Sequence, residues 1–254
     1  MKKNEEEIKK LKKKSTMSNF NLKVIARIKT DFPTKFGIPR QSGLVKGTRG
    51  IIVFEKEYRN AEALRGLEGF SHLWLIWQFS ESVTENWSAT VRPPRLGGNK
   101  RMGVFATRSP FRPNPLGLSS VKIEEIKGTE NEGTVIVVSG ADLLDGTPIY
   151  DIKPYIAFTD SHPDATGGFS SDVYEKSLEV LVPKEIEKTA DSELLNSLKE
   201  ILAQDPRPAY QTDAGRIYSF EYGEYNVKFR VEGNILHLIS LKSEKILKNG
   251  VDRA

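Results

Sequence analysis

Gly103-Val-Phe-Ala-Thr-Arg-Ser-Pro-Phe-Arg-Pro-Asn-Pro-Leu-Gly-Leu-Ser-Ser120 joins a strand-like run to a stiff, cationic, glycine-tipped loop. Pro110, Pro113 and Pro115 each fix φ and remove an N–H donor. The middle of the stretch is therefore excluded from a helix interior and from a central strand, and must hold one extended shape. Such stiffness lowers the ordering entropy that ligand binding would otherwise cost. Arg108 and Arg112 sit inside it, and a planar guanidinium fork suits carboxylate or phosphate better than an ammonium does.

Outward from this loop the chain reads as β structure. Met102–Thr107 and Leu118–Ile126 flank it as strands, and Asn21–Ile28 alternates Leu22, Val24, Ala26 and Ile28 with polar neighbours, the period of a half-buried strand. Ile51–Phe54, His72–Phe79, Thr134–Ser139 and Ile149–Phe158 complete seven short strands rich in β-branched and aromatic residues. Only Ala61–Leu67 between them looks helical. This pattern predicts a barrel or sandwich over roughly residues 20–160, not an alternating α/β sheet. In His72–Phe79, Trp74 and Trp77 point to opposite faces, and His72 reads as a satisfied buried histidine rather than a base.

A second unit follows the Gly-rich linker Ser161–Ser171. Leu194, Leu195, Leu198, Ile201 and Leu202 form the stripe of an amphipathic helix, with Asp191 or Ser192 as N-cap and Pro206 beyond its end. Arg216–Tyr222, Tyr225–Glu232 and Ile235–Lys242, joined by short turns, predict a three-stranded meander. The expected division is a charged tail over 1–19, a β domain over 20–165 and an α+β domain over 166–254.

Charge is distributed unevenly. Residues 1–14 hold seven Lys and three Glu, the whole net charge of +4, so the other 240 residues balance at 31 basic and 31 acidic. Yet between Glu85 and Glu124 lie 38 residues with seven positive charges and no Asp or Glu: Arg92, Arg95, Lys100, Arg101, Arg108, Arg112 and Lys122. About five carboxylates would be expected there at the chain's average content, so the bias is local and marks an anion-binding surface. With no cysteine there is no disulfide, zinc finger or thiol nucleophile, and three scattered histidines make a metal site improbable. No secretory signal or run of about 18 apolar residues is present, and a cytoplasmic location is expected.

Neither Gly-x-Gly-x-x-Gly nor the phosphate-binding Gly-x-x-x-x-Gly-Lys-Ser/Thr occurs. Two further loops carry chemistry: Gly37-Ile-Pro-Arg-Gln-Ser-Gly43, with an arginine and an amide, and Asp142-Leu-Leu-Asp-Gly-Thr-Pro148, whose carboxylates can accept from a ribose or an amine.

These loops, with Gly69-Phe-Ser-His72, Val91-Arg-Pro-Pro-Arg-Leu-Gly-Gly98, Asp151-Ile-Lys-Pro-Tyr155 and Gln204-Asp-Pro-Arg-Pro-Ala-Tyr210, closely resemble the family of tRNA N6-threonylcarbamoyladenosine methyltransferases. The resemblance runs in near-unbroken order from about residue 21 to 165 and continues into the second unit. It implies a mainly β protein, a small closed or nearly closed β-barrel followed by a small α+β domain, and S-adenosylmethionine as methyl donor. It further implies methylation of N6 on threonylcarbamoyladenosine at position 37, chiefly in threonine tRNA, by a homodimer with cofactor near the subunit interface. Carried over by motif, Pro39, Arg40, Gln41, Ser80, Glu81, Arg108, Leu118, Asp145, Gly146 and Thr147 would bind cofactor. Arg92, Arg95, Arg101 and Arg112 would divide phosphate and substrate-carboxylate contacts, and Arg207 and Tyr210 would hold the anticodon arm.

Methyl transfer from a sulfonium is an in-line displacement that needs positioning and the loss of one N6 proton. Asp142 and Asp145 are the candidate acceptors. The rival readings are a non-catalytic RNA-binding β-barrel and a small-molecule-binding barrel.

Overall fold

The computed structural model describes residues 21–93, 96, 100–173, 177–207, 213 and 215–243. The first unit contains β1 (Ala26–Thr30), β2 (Arg49–Phe54), β3 (His72–Gln78), β4 (Thr90–Val91), β5 (Met102–Gly103), β6 (Leu116–Thr129), β7 (Gly133–Ser139) and β8 (Pro148–Pro154). Six of them close a barrel in the order β1-β2-β7-β6-β3-β8, every neighbouring pair antiparallel. Closure leaves no unpaired edge and lets alternate residues fill the interior. In β3, Leu73, Leu75 and Trp77 face in while His72, Trp74, Ile76 and Gln78 face out. The two tryptophans do lie on opposite faces. His72, however, sits half-buried on the outer face with Nδ1 2.9 Å from Ser71 Oγ, because the strand's alternation gives Leu73 the core position.

The barrel has six strands rather than seven. Only Met102–Gly103 of the predicted Met102–Thr107 strand pairs, with β4, outside the barrel. Val104–Ala106 turns away as a 3-10 helix that buries Val104. Similarly, β8 stops at Pro154 and a short helix, α1 (Ala157–Asp160), follows it.

Strict antiparallel closure decides where the connections fall. The segments 31–48, 79–115 and 140–147 all cross one rim of the barrel, while 55–71 and 130–132 cross the other. A cavity of about 570 Å³ opens at that other rim, lined by Ile25, Tyr58, Leu64, Leu67, Ile152 and Pro154 among others.

The second unit contains β9 (Glu179–Leu181), α2 (Lys184–Thr189), α3 (Ser192–Ala203), β10 (Tyr218–Tyr222), β11 (Tyr225–Glu232) and β12 (Ile235–Ser243). The meander is present, and β9 adds to it in parallel beside β12. Asp191 caps α3, its carboxylate accepting from the N–H groups of Glu193 and Leu194 at 2.9 and 3.0 Å. Leu195, Leu198, Ile201 and Leu202 bury the predicted stripe against the sheet. Two cores result, and the segment 31–48 takes part in the second: Phe32 and Val45 are buried there, with Phe36 and Ile38 packed alongside. A connection of the barrel is thus folded as part of the neighbouring core. Among the described residues no helix is long and apolar enough to cross a membrane.

Candidate active site

The three segments that share a rim hold nine of the ten predicted cofactor residues: Pro39, Arg40 and Gln41 on 31–48; Ser80, Glu81 and Arg108 on 79–115; Asp145, Gly146 and Thr147 on 140–147. Leu118 stands 59% exposed near the start of β6, directly after the second of them. Residues more than 100 positions apart are gathered because antiparallel closure sends these three connections to the same end. The segments also bind one another. The Arg108 guanidinium donates to the Gln41 side-chain oxygen, and Lys35 reaches both the Glu81 carboxylate, at 3.3 Å, and the Glu81 carbonyl, at 3.0 Å.

The Asp145-Gly146-Thr147 turn is stitched to β1 and to Phe32 just beyond it. Thr30 N–H donates to Asp145 Oδ1 at 2.9 Å, Asp145 N–H to the Phe32 carbonyl at 2.9 Å, and Gly146 N–H to the Ile28 carbonyl at 2.8 Å. Gly146 has φ 74°, and nothing lies within 4 Å of where a Cβ would stand, so its backbone borders open space. Buried Thr147 turns its hydroxyl onto the Leu144 carbonyl at 2.6 Å.

Below these turns lies a polar network. Trp77 Nε1–H donates to Ser119 Oγ at 3.0 Å, and the Ser119 hydroxyl donates to Asp142 Oδ1 at 2.6 Å. The Ser42 backbone N–H also reaches the Asp142 carboxylate, and Ser120 N–H donates to Ser42 Oγ at 3.1 Å. Burial pushes the Asp142 carboxyl up to about 6, against the opposing pull of Ser119, Ser42 and Arg108. Sequence reasoning named Asp142 but missed Ser42 and Ser119. Small hydroxyls in a loop and a strand carry no spacing signal of their own.

An acid whose pKa rises on folding favours the native state below its unfolded pKa and loses that contribution as pH climbs through the folded value. Asp142→Asn should therefore raise stability above pH 6, by up to roughly 3 kcal/mol for a shift of this size. An amide can satisfy the same groups, its oxygen accepting from Ser42 and its NH2 donating to Ser119 Oγ. Urea denaturation at pH 5 and pH 8 checks this, and a variant less stable than wild type at pH 8 would contradict it.

The predicted RNA contacts are divided. Arg92, Arg101 and Arg112 lie on the acid-free part of the 79–115 connection, beyond Glu85, at the same rim; Arg101 Nε donates to Thr90 Oγ1 at 2.8 Å and Arg112 to the Thr107 carbonyl at 3.2 Å. Arg95 and Tyr210 lie outside the described residues. Arg207 is in the second unit with 13% of its side-chain surface exposed, where Nε and Nη2 grip Asp205 Oδ1 and Oδ2 at 2.8 and 2.9 Å. Asp205, at φ 49°, in turn accepts the Arg40 guanidinium on its backbone carbonyl at 3.0 Å. Arg207 thus shapes the turn that meets Arg40, a role its position after a helix-ending Asp-Pro did not reveal. Among the described residues no group of three or more potential ligands could hold a metal ion.

Comparison with known proteins places this arrangement. The model of the tRNA-methyltransferase O N-terminal domain matches residues 27–161, and that of the TrmO C-terminal domain matches residues 175–244. The chain belongs to this family. A tRNA (adenine(37)-N6)-methyltransferase of Escherichia coli K12 is 43% identical over 223 residues, covering 85% of this chain and 94% of that protein. One from Eikenella corrodens is 50% identical over 167 residues, 64% of this chain and 92% of its own length. A crystal structure of TrmO from Pseudomonas aeruginosa, 28% identical, superposes with a TM-score of 0.69 over 89% of this chain and 100% of that one. Membership makes the protein a tRNA methyltransferase on a β-barrel, and the rim that gathers the motifs is its candidate active site.

Proposed function

We propose that the protein transfers a methyl group from S-adenosylmethionine to N6 of threonylcarbamoyladenosine at position 37 of tRNA, chiefly threonine tRNA. The observation that carries this reading is the convergence of Pro39–Gln41, Ser80–Glu81, Arg108, Leu118 and Asp145–Thr147 on one barrel rim beside an acid-free, arginine-bearing surface. The adenine(37)-N6 specificity in the relatives' names supports the choice of atom.

The residues at this rim fit the cofactor. Arg108, braced by Gln41, offers a fork for a carboxylate, Asp145 offers acceptors for hydroxyl or amino groups, and the open backbone at Gly146 admits a close approach. When bound, S-adenosylmethionine supplies an electrophilic methyl on a sulfonium. The chain's own task is to hold the acceptor N6 in line with that methyl and to let one proton leave. In threonylcarbamoyladenosine N6 lies between the purine ring and a carbonyl, which makes its N–H more acidic than adenosine's, so a carboxylate or water suffices as base. The substrate's threonyl carboxylate suits an arginine fork. Arg112, held by Thr107, and Arg101, held by Thr90, would bind it and the neighbouring phosphates together with Arg92 and Arg95 of the same stretch of sequence.

The second unit would meet the anticodon arm through Tyr210 and the turn that Arg207 shapes. On the rim connection, Trp87 and Phe105 stand 53% and 71% exposed with ring centroids 6.1 Å apart. Such an aromatic pair is a surface that a second copy of the chain would cover, in a cytoplasmic homodimer with cofactor near the boundary.

The test is to incubate the purified protein with S-adenosylmethionine and tRNA that carries threonylcarbamoyladenosine without the N6-methyl, then weigh the digested nucleosides. A gain of one methyl on that nucleoside alone is expected. Tight tRNA binding with no mass change would favour the non-catalytic RNA-binding barrel. A methyl on unmodified adenosine would remove the argument from the threonyl carboxylate.

A further inference from the structure

Two of the three cofactor segments and the start of β6 meet at Asp142, which none of the proposed cofactor contacts includes. Ser42, next to Gln41, offers its backbone N–H to Asp142; Ser119, next to Leu118, offers its hydroxyl at 2.6 Å; and Asp142 itself opens the segment that carries Asp145–Thr147. Further bonds tighten the junction, from Ser120 N–H to Ser42 Oγ at 3.1 Å and from Gly43 N–H to the Gly140 carbonyl at 2.9 Å. Because Ser119 Oγ accepts the Trp77 indole N–H at 3.0 Å, its own hydrogen is directed at the carboxylate.

We propose that Asp142 is a positioning residue of the cofactor site, whose carboxylate ties the Pro39–Gln41 loop to β6 and whose charge attracts the Arg108 guanidinium that donates to Gln41. This rests on the reading of Pro39–Gln41 and Arg108 as cofactor contacts. The partners divide the work. Ser42 and Ser119 would bond a neutral amide as well as a carboxylate, but the attraction on Arg108 requires the charge. Arg108 is the charged group acting on Asp142. β6 presents Ser119, β3 presents Trp77 and the 37–43 loop presents Ser42, while Arg40 in that loop donates to the Asp205 carbonyl and Asp145 takes the Thr30 N–H. The arrangement makes cofactor binding sensitive to the charge on Asp142, whose carboxyl is pushed up to about 6 by burial.

Calorimetric titration of the full-length protein with S-adenosylmethionine from pH 5 to pH 8 tests the proposal. Wild-type affinity should fall about tenfold on acidification as Asp142 takes up its proton. Asp142→Asn should bind about tenfold or more weakly at pH 7.5 and lose the pH dependence, with the defect in the cofactor KM rather than in kcat. Ser119→Ala keeps the charge but removes a donor that stabilises it, so its midpoint should move to higher pH. A merely structural contact would not shift that midpoint. Wild-type affinity and pH dependence in Asp142→Asn would overturn the proposal. So would a loss confined to kcat, which would make Asp142 the proton acceptor. Failure of the wild-type protein to bind S-adenosylmethionine at any pH would overturn the cofactor reading as well, so the two failures are separable.

Discussion

Gly117→Ala is expected to cost the barrel roughly 3–5 kcal/mol, a large share of the roughly 5–15 kcal/mol that holds an ordinary domain folded. A Cβ at this position would stand 2.2, 2.4 and 2.6 Å from three ring atoms of Trp77, its cross-strand partner in β3. No contact so short survives, and the indole has no easy retreat. It is 6% exposed, packed at 4.3 Å between centroids against Phe79, and fixed by its N–H bond to Ser119. Overpacking usually costs about 1–3 kcal/mol where neighbours can yield. Here the alternatives are spreading β3 from β6 or expelling a tryptophan, which costs what a Trp→Ala cavity costs. Thermal and urea unfolding measure the loss. Trp77→Leu should suffer less from the added methyl than wild type does, so a double-mutant cycle with Gly117→Ala should show a coupling of about 2 kcal/mol. A Gly117→Ala protein that melts within a degree of wild type would contradict the argument.

Gly117 also shows what the sequence conveys about this fold and what it withholds. Alternation in His72–Phe79 announced a strand with one tryptophan on each face, and the structure has Trp77 in and Trp74 out. It could not show that the strand opposite must carry glycine, because that need arises only when two segments some 40 residues apart are brought into register. Local chemistry was legible wherever it was self-contained: the Asp191 cap, the α3 stripe and the meander at 218–243 all follow from neighbours along the chain. Pairing was not. Met102–Thr107 has strand composition but finds a partner only at its first two residues, and Glu179-Val-Leu181 is too short to read yet becomes a strand because β12 offers it an edge. The same division holds at the site. Prolines, glycines and arginines marked three loops as binding elements, whereas their meeting at one rim depends on the barrel's closure, and the Ser42 N–H and the Ser119 hydroxyl acquire meaning only around Asp142. Arg207, expected from its motif to contact RNA, also grips Asp205, a pairing that only the folded turn reveals.

Gly37→Ala is expected to weaken S-adenosylmethionine binding by about tenfold or more while leaving the barrel core intact. Gly37 has φ 96°, a left-handed conformation that costs an alanine about 1 kcal/mol or more, and its Cβ would stand 2.4 Å from Phe220 Cδ2 and 2.7 Å from Cε2. Phe220 is 4% exposed and wedged by Phe36 at 5.9 Å and Phe229 at 6.2 Å between centroids, so its ring cannot swing aside. The collision therefore falls on the backbone of Gly37 and lifts Ile38–Gln41 from the second core. The loop is held there at several further points. Arg40 donates to the Asp205 carbonyl at 3.0 Å, while Glu200 of α3 accepts Lys46 and Gly47 N–H at 2.8 and 3.4 Å. Ser197 donates to the Gly47 carbonyl at 3.1 Å. A change at residue 37 should thus appear at Arg40 and Gln41, while the β3 and β6 amides keep their hydrogen-exchange protection because their core is the other cluster. Gly43→Ala is the control: φ is also positive, at 76°, but nothing lies within 4 Å of the added methyl, so it carries conformational strain alone. Equal losses of cofactor affinity at Gly37 and Gly43 would mean that strain in the loop, and not its seating on Phe220, sets the geometry of Arg40 and Gln41. A tenfold difference between them would mean that the second core is what holds those two side chains in place.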